Sequence, residues 1–374
     1  MASEGIISSI PCELITEILY RLPSKSVGRF RCVSKEWLSL LSSPQFIKIH
    51  QNTLNNLLFL PSRTNPYFIP FHYHEEAKEE EEEESVPTTF YLQVPDVNLI
   101  IYGSCNGLVL LSAFTRGWVY KKLMVSNPTT REFVEIPVLD FEMEGHKFVS
   151  CIMCELGYDS VTDDYKVVTI NHFVNNLIGH DIMSVHVYIV HVYSLRRNTW
   201  TRVIDYPDKY FRYQISSTAF VNGSFHWVAT KVSDQINVTV AFSLANENFS
   251  EVPSPMLSYD VDISSRRCVV DEKLAIFSVS EGEVWIMNEY KVKGSWTKIK
   301  LHGLKEIPML YLSFVFSVNG ELVLVCDKEL LIYDIKDGRL SKRIDISGNT
   351  YMRASNYECI CVESLVSPRF YRLS

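Results

Sequence analysis

The spacing of apolar positions changes once along the chain, near residue 88, and that change divides it in two. In PCELITEILYRLP, Leu14, Ile15, Ile18, Leu19 and Leu22 recur three and four apart and Pro23 ends the run, which predicts a helix. Ser24 is placed to cap a second helix carrying Val27 and Phe30, and Ser34 a third carrying Trp37, Leu38 and Leu41. Ser43-Pro44 reads as N-cap and first turn of a fourth, with Phe46 and Ile47. Four short helices over about forty residues bury too little surface to fold well alone. Either they pack on the rest of the chain, or their apolar face belongs to a partner.

Beyond residue 88 the period is two, and a unit recurs. One half of it is a strand, a tight turn and a strand: CNGLVLL, VNGSFHWVA and VNGELVLVC, with VDEKLAIFSV as a weaker copy. Asn-Gly between alternating apolar runs signals a two-residue hairpin, because both residues tolerate positive φ. The other half is a strand, a polar turn and a strand opened by a large apolar residue; Phe133, Trp200, Phe249, Trp296 and Leu340 hold that position in five copies. A four-stranded unit repeating at about 40–50 residues is the pattern of a β-propeller blade. A sixth blade closes if the C-terminal NYECICVESLV pairs with a strand such as LNNLLFL. The predicted fold is therefore mainly β with a small α-helical N-terminal module, a propeller of about six blades following the helices. A two-sheet sandwich fits the strand count but not the recurring aromatic position. The boundaries are 5–50 for the helices, 51–95 for a linker and closing strand, and 96–370 for the propeller.

Composition narrows the partners. The chain has 374 residues, 47% of them hydrophobic and 21% charged, in the globular range. Its net charge of −8 sits almost wholly in EEAKEEEEEE, residues 75–84, which reads as a solvated acidic insertion. The near-neutral remainder argues against a nucleic-acid field. A helix-turn-helix reading of residues 1–50, with Arg21, Lys25, Arg29, Arg31 and Lys35 as a basic edge, leaves too little net positive charge to track phosphates. No run of eighteen apolar residues predicts a membrane span, and no basic segment precedes the first apolar residues as in a secretory signal. Nine scattered cysteines suit reduced thiols, hence cytoplasm or nucleus, which makes the N-x-S/T sites at Asn222, Asn237 and Asn248 unmodified.

Catalytic signatures are sparse. Cys151 and Cys154 lie three apart in a strand and should face opposite sides. Cys359 with Cys361, and His72 with His74, lack a second pair of ligands nearby. His186 and His191 read as strand histidines, and Asp163-Asp164 as a hairpin turn. There is no G-x-S-x-G elbow, dinucleotide-binding glycine motif or P-loop. No cofactor and no metal are expected.

The residues in order resemble a known arrangement. Residues 10–50, with RLPSKSVGRFRCVSKEW, resemble an F-box, although Ile10 stands where that pattern usually has Leu. GSCNGLVLL, SNPTTREF, LGYDSVTDDYKVV and the terminal ESLVSP resemble the F-box-associated propeller domain of plant F-box proteins. The resemblance implies a non-catalytic substrate receptor: the helices dock on the Skp adaptor of a cullin–RING ubiquitin ligase and the propeller holds a target protein. It further implies that Ile10, Pro11, Leu14, Ile18, Leu22, Pro23 and Val27 form the adaptor face. Trp37 and Leu41 hold the helices together or complete the deeper contact. The alternative is a propeller enzyme or glycan-binding protein with an accessory helical module.

In a four-stranded meander, the turns after strands 1 and 3 leave on one face and the loops after strands 2 and 4 on the other. The first set is tight; the second is long, including residues 139–147, 171–181 and 205–214. Target binding is expected on the long-loop side. Tyr206, Tyr210, Phe211, Arg212 and Tyr213 supply the aromatic–arginine mix of interface hot spots. The competing reading tucks these rings back between blades.

Overall fold

The computed structural model describes residues 11–50, 56–60, 67–71, 88–89, 97–115, 120–137, 139, 146–175, 185–211, 217–255, 265–304, 312–318, 320–326, 329–345 and 359–373. Ile10, His72, His74, Arg212, Tyr213, the acidic run and most of the long loops lie outside them.

Four helices open the chain: α1 (Cys12–Tyr20), α2 (Ser24–Phe30), α3 (Lys35–Leu41) and α4 (Pro44–His50). The Ser34 hydroxyl caps α3 by accepting from the Trp37 N–H at 3.2 Å, and Ser43 accepts from the Phe46 N–H at 3.2 Å. Ser24 does not cap α2: the helix begins at Ser24, and Pro23, with no side-chain acceptor, occupies the N-cap.

The remaining strands form six antiparallel sheets. Five are consecutive in the chain, spanning residues 97–136, 146–205, 210–252, 266–300 and 312–345, and are called blades 1 to 5 here. Each is ordered from an inner strand outwards; in blade 3 the inner position is shared by Tyr210–Phe211 and Ala219–Val221, both paired with Ser224–Lys231. Blade 6 is built from both ends of the propeller sequence. Cys359–Val362 pairs antiparallel with Asn56–Leu60, which continues to Tyr67–Phe71 and Thr88–Thr89. The C-terminal strand thus closes the ring on the N-terminal ones, as the sequence pattern anticipates.

Local sequence explains the repeat. Asn106 and Gly107 have φ of 50° and 81°, and Asn222 and Gly223 have 49° and 66°, the two left-handed residues of a tight hairpin. In blade 4 the same turn is written Asp271-Glu272 with φ of 46° and 61°. A side chain in that region costs energy that glycine avoids. Glu272→Gly is therefore expected to raise stability by about 0.5–1 kcal/mol, read as a shift of the urea midpoint. A fall would show that the Glu272 side chain contributes more than the backbone strain costs.

The recurring apolar position opens the outer strand of blades 1 to 5, opposite the end of the third: Ser126↔Phe133, Tyr193↔Trp200, Phe242↔Phe249, Met287↔Trp296 and Tyr333↔Leu340. Its tryptophans tie neighbouring blades together. Trp200 Nε1 donates to the Pro137 carbonyl at the end of blade 1, 2.8 Å away, and Trp296 Nε1 to Pro253 at the end of blade 3, 2.9 Å away. Apolar clusters fill the gaps between blades; one joins Ala275 and Phe277 of blade 4 to Leu322 and Leu324 of blade 5.

Candidate adaptor and target surfaces

Leu19, Val27, Leu41 and Phe46 form the buried centre of the helical module, with Ile15, Leu22, Phe30 and Trp37 packed around it. Trp37 is half-buried and meets Phe30 edge-on at 5.6 Å. The α1 stripe splits between two faces. Ile15 and Leu19 turn inward, whereas Leu14 and Ile18, one turn apart, are each 55% exposed. Pro11 and Pro23 are exposed, and Leu22 is half-buried. Val27 is a correction to the expected face: it is 0% exposed, because α2 turns it into the module's own core. Helical periodicity marks both kinds of apolar position alike. Val33, Leu38 and Ile49 are also exposed, and the α1 stripe does not single them out.

The helices rest on the propeller's tight-turn face. His50 Nε2 bonds the Leu22 carbonyl at 2.8 Å, fixing α4 against the end of α1. Burial lowers the His50 pKa; the bond to Leu22 opposes that shift and nearby Arg31 adds to it. Burial also lowers the Arg31 pKa, opposed by the Glu132 carboxylate at the start of blade 1's outer strand. Ile47 packs both on the helical core and on the cluster between blades 1 and 2. Among the described connections, 206–209, 232–236 and 279–282 follow second or fourth strands and turn on the opposite side.

Two residues of the expected target loop are core residues. Tyr206 and Tyr210 are 3% and 2% exposed, in one cluster with Trp227 and Phe242. The Tyr206 hydroxyl accepts from Trp227 Nε1 at 3.2 Å, and the Tyr210 hydroxyl donates to Glu251 at 2.9 Å. Their polar tips are satisfied inside the blade, so the rings are not free for a partner. Phe211 continues the short strand Tyr210–Phe211.

Several buried or half-buried polar groups carry no mark in the sequence pattern. Glu155, on the inner strand of blade 2, accepts from the Thr218 hydroxyl at 2.5 Å and packs against Gly103 of blade 1. Burial pushes its pKa up to about 8 against that hydrogen bond. His226 is fully buried, with Nδ1 3.1 Å from the Ala219 carbonyl and Nε2 2.7 Å from the Tyr290 hydroxyl. A carbonyl only accepts, so Nδ1 carries the proton and Nε2 accepts from Tyr290. The register shifts between Cys151 and Met153; the exposed Cys151 thiol donates to the Met153 carbonyl at 2.9 Å, while Cys154 is buried and its pKa is raised by the Cys151 thiol and by burial. Among the described residues no three His, Cys, Asp or Glu side chains cluster as metal ligands, and no helix is long and apolar enough to cross a membrane.

Known families match both parts. Residues 7–49 match the F-box domain, and residues 59–368 match the F-box associated beta propeller domain. The chain belongs to the F-box proteins that carry this propeller. It is similar to F-box protein CPR1 of Arabidopsis thaliana, 29% identical over 360 residues that cover 89% of this chain and 81% of that protein. An F-box/kelch-repeat protein of the same plant is 25% identical over 378 residues, covering 96% of each chain.

Proposed function

We propose that this chain is a non-catalytic substrate receptor of a Skp–cullin–F-box ubiquitin ligase, working in the cytoplasm or nucleus. The helical module binds the Skp-family adaptor through Pro11, Leu14, Ile18 and Pro23, with Leu22 and Trp37 at the margin. The propeller holds a target protein on its long-loop side, away from the helices. Ubiquitin transfer then follows from proximity: the tethered target's lysines reach a high effective concentration at the charged conjugating enzyme. The single observation that carries this reading is the exposure of Leu14 and Ile18 on a helix whose other face already serves the module's core. Large apolar side chains left in water beside a complete core mark an interaction surface.

The test is Leu14→Asp with Ile18→Asp in the full-length chain. Desolvated apolar anchors each contribute about 2 kcal/mol or more, so the double variant should lose adaptor co-purification altogether. Its melting temperature should stay within about 2 °C of the wild type, because neither side chain is in the core. Normal adaptor capture by the folded variant would refute the assignment of this face.

A further inference from the structure

We infer that the C-terminal segment 364–373 is a clamp that holds the helical module in place on the propeller, with Leu365 and Arg31 as its positioning residues. Leu365 is 1% exposed and belongs to the core of the helical module, together with Leu19, Val27, Leu41 and Phe46. The Arg31 guanidinium, at the end of α2, donates through Nη2 to the carbonyls of Leu41 and Leu365, each at 3.0 Å. A single side chain therefore ties α2 and α3 to a residue 334 positions further along the chain.

The same segment is fastened to the ring. Asn127 Nδ2 donates to the carbonyls of Ser364 and Val366 at 3.0 and 2.7 Å, while its Oδ1 accepts from the Thr129 N–H at 2.8 Å. Ser364 is packed so closely over Gly107 that a side chain there would strike it. Val366 enters the cluster between blades 1 and 2. Arg372 donates to the Glu135 carbonyl and, at 2.7 Å, to Asn198, and the Tyr371 ring meets Tyr165 edge-on at 5.0 Å. Gly107, Asn127 and Ser364 stand in three separate stretches, GSCNGLVLL, SNPTTREF and ESLVSP, which converge on this one junction.

Leu365 comes three residues after the end of Cys359–Val362, the strand that closes the sixth blade. Closing the ring and completing the helical core are thus consecutive acts of one stretch of chain. A propeller that has not closed leaves the helices without Leu365, too small a module to hold its own shape. The clamp makes an ordered docking face conditional on a folded receptor, and it fixes the direction in which the ring points from the helices.

This use of the clamp rests on the adaptor reading above; its physical part does not, and the two are separable. In the full-length chain, Leu365→Asp should speed hydrogen exchange of the α1–α4 amides by at least about thirtyfold, the loss expected on removing a fully buried leucine. Amides of blades 3 to 5, distant from the tail, should exchange as in the wild type. Affinity for the purified adaptor should fall at least about tenfold, because only the ordered fraction binds. Leu365→Met, which refills the space, should restore both readings. Where Leu365→Asp does not accumulate, Leu365→Ala gives the same comparison. Unchanged protection of the helices, or equal loss in blades 3 to 5, would overturn the clamp. Accelerated helix exchange in a protein whose wild type fails to bind adaptor would uphold the clamp and sink the adaptor reading instead.

Discussion

Replacing Lys166 by methionine is expected to destabilise the propeller by about 3–5 kcal/mol, the cost of leaving one partner of a buried ion pair alone. Lys166 Nζ lies 2.9 Å from Asp159 Oδ2, with side chains only 10% and 1% exposed. It also donates to the Leu244 carbonyl of blade 3 at 3.1 Å, so one ammonium group joins blade 2 to its neighbour. Burial works against the Asp159 carboxylate, but hydrogen bonds from Lys166, Thr162 and the Val161 N–H outweigh it and hold the carboxyl below its ordinary pKa. Such a depressed carboxyl contributes stability that is present above its unfolded pKa and lost as pH falls through the folded one. Without Lys166 that contribution shrinks, and the buried carboxylate loses its cation and keeps only Thr162 and the Val161 N–H. Denaturant unfolding at pH 7 measures the loss. The double variant Lys166→Met with Asp159→Asn should regain most of it, since removing both charges of a buried pair is far cheaper than removing one. A loss below about 1 kcal/mol for the single variant would class the pair with exposed salt bridges.

How much of the fold is legible in the chain depends on how local each signal is. Asn106-Gly107 specifies its hairpin within two residues, and the observed positive φ values agree. The large apolar residue at the head of the outer strand repeats because blades 1 to 5 have the same place for it, so the five copies reveal the position by their recurrence. Closure of the ring is legible for a similar reason: the C-terminal strand is left without a blade of its own, and apolar strand sequence such as LNNLLFL precedes the first complete blade. Val27, which the resemblance to the F-box places on the adaptor face, is instead in the module's core, and a residue that completes its environment, Leu365, comes from the other end of the chain. Tyr206 and Tyr210 resemble a partner surface because an aromatic-rich loop has the composition of a hot spot. Only the satisfied hydroxyls, against Trp227 and Glu251, show that they are inward-facing.

The protein is expected to be most stable near pH 6 and to loosen on either side, for different reasons on the two limbs. His226 and His191 are held neutral, both lowered to about 4, chiefly by burial. A depressed pKa means that the unfolded chain takes up protons first, so their stabilising contribution is complete above pH 6.5 and is lost as pH falls towards 4. Glu155 acts in the opposite sense. Its carboxyl keeps a proton up to about pH 8, whereas in the unfolded chain it ionises near 4.5. A raised pKa gives stability that is full below the unfolded value and is lost as pH rises from 4.5 through 8. Glu155 lies where blades 1, 2 and 3 meet, so the loss falls on the inner wall of the ring. Glu155→Gln keeps an acceptor for the Thr218 hydroxyl and cannot ionise. It should match the wild type at about pH 5 and exceed it at about pH 8.5 by about 2–4 kcal/mol, since every pH unit between the folded and unfolded pKa is worth about 1.4 kcal/mol. Chemical denaturation at the two pH values decides the matter. Superimposable wild-type and Glu155→Gln curves across that range would mean that the carboxyl is already ionised in the folded ring, with water or a cation beside Thr218.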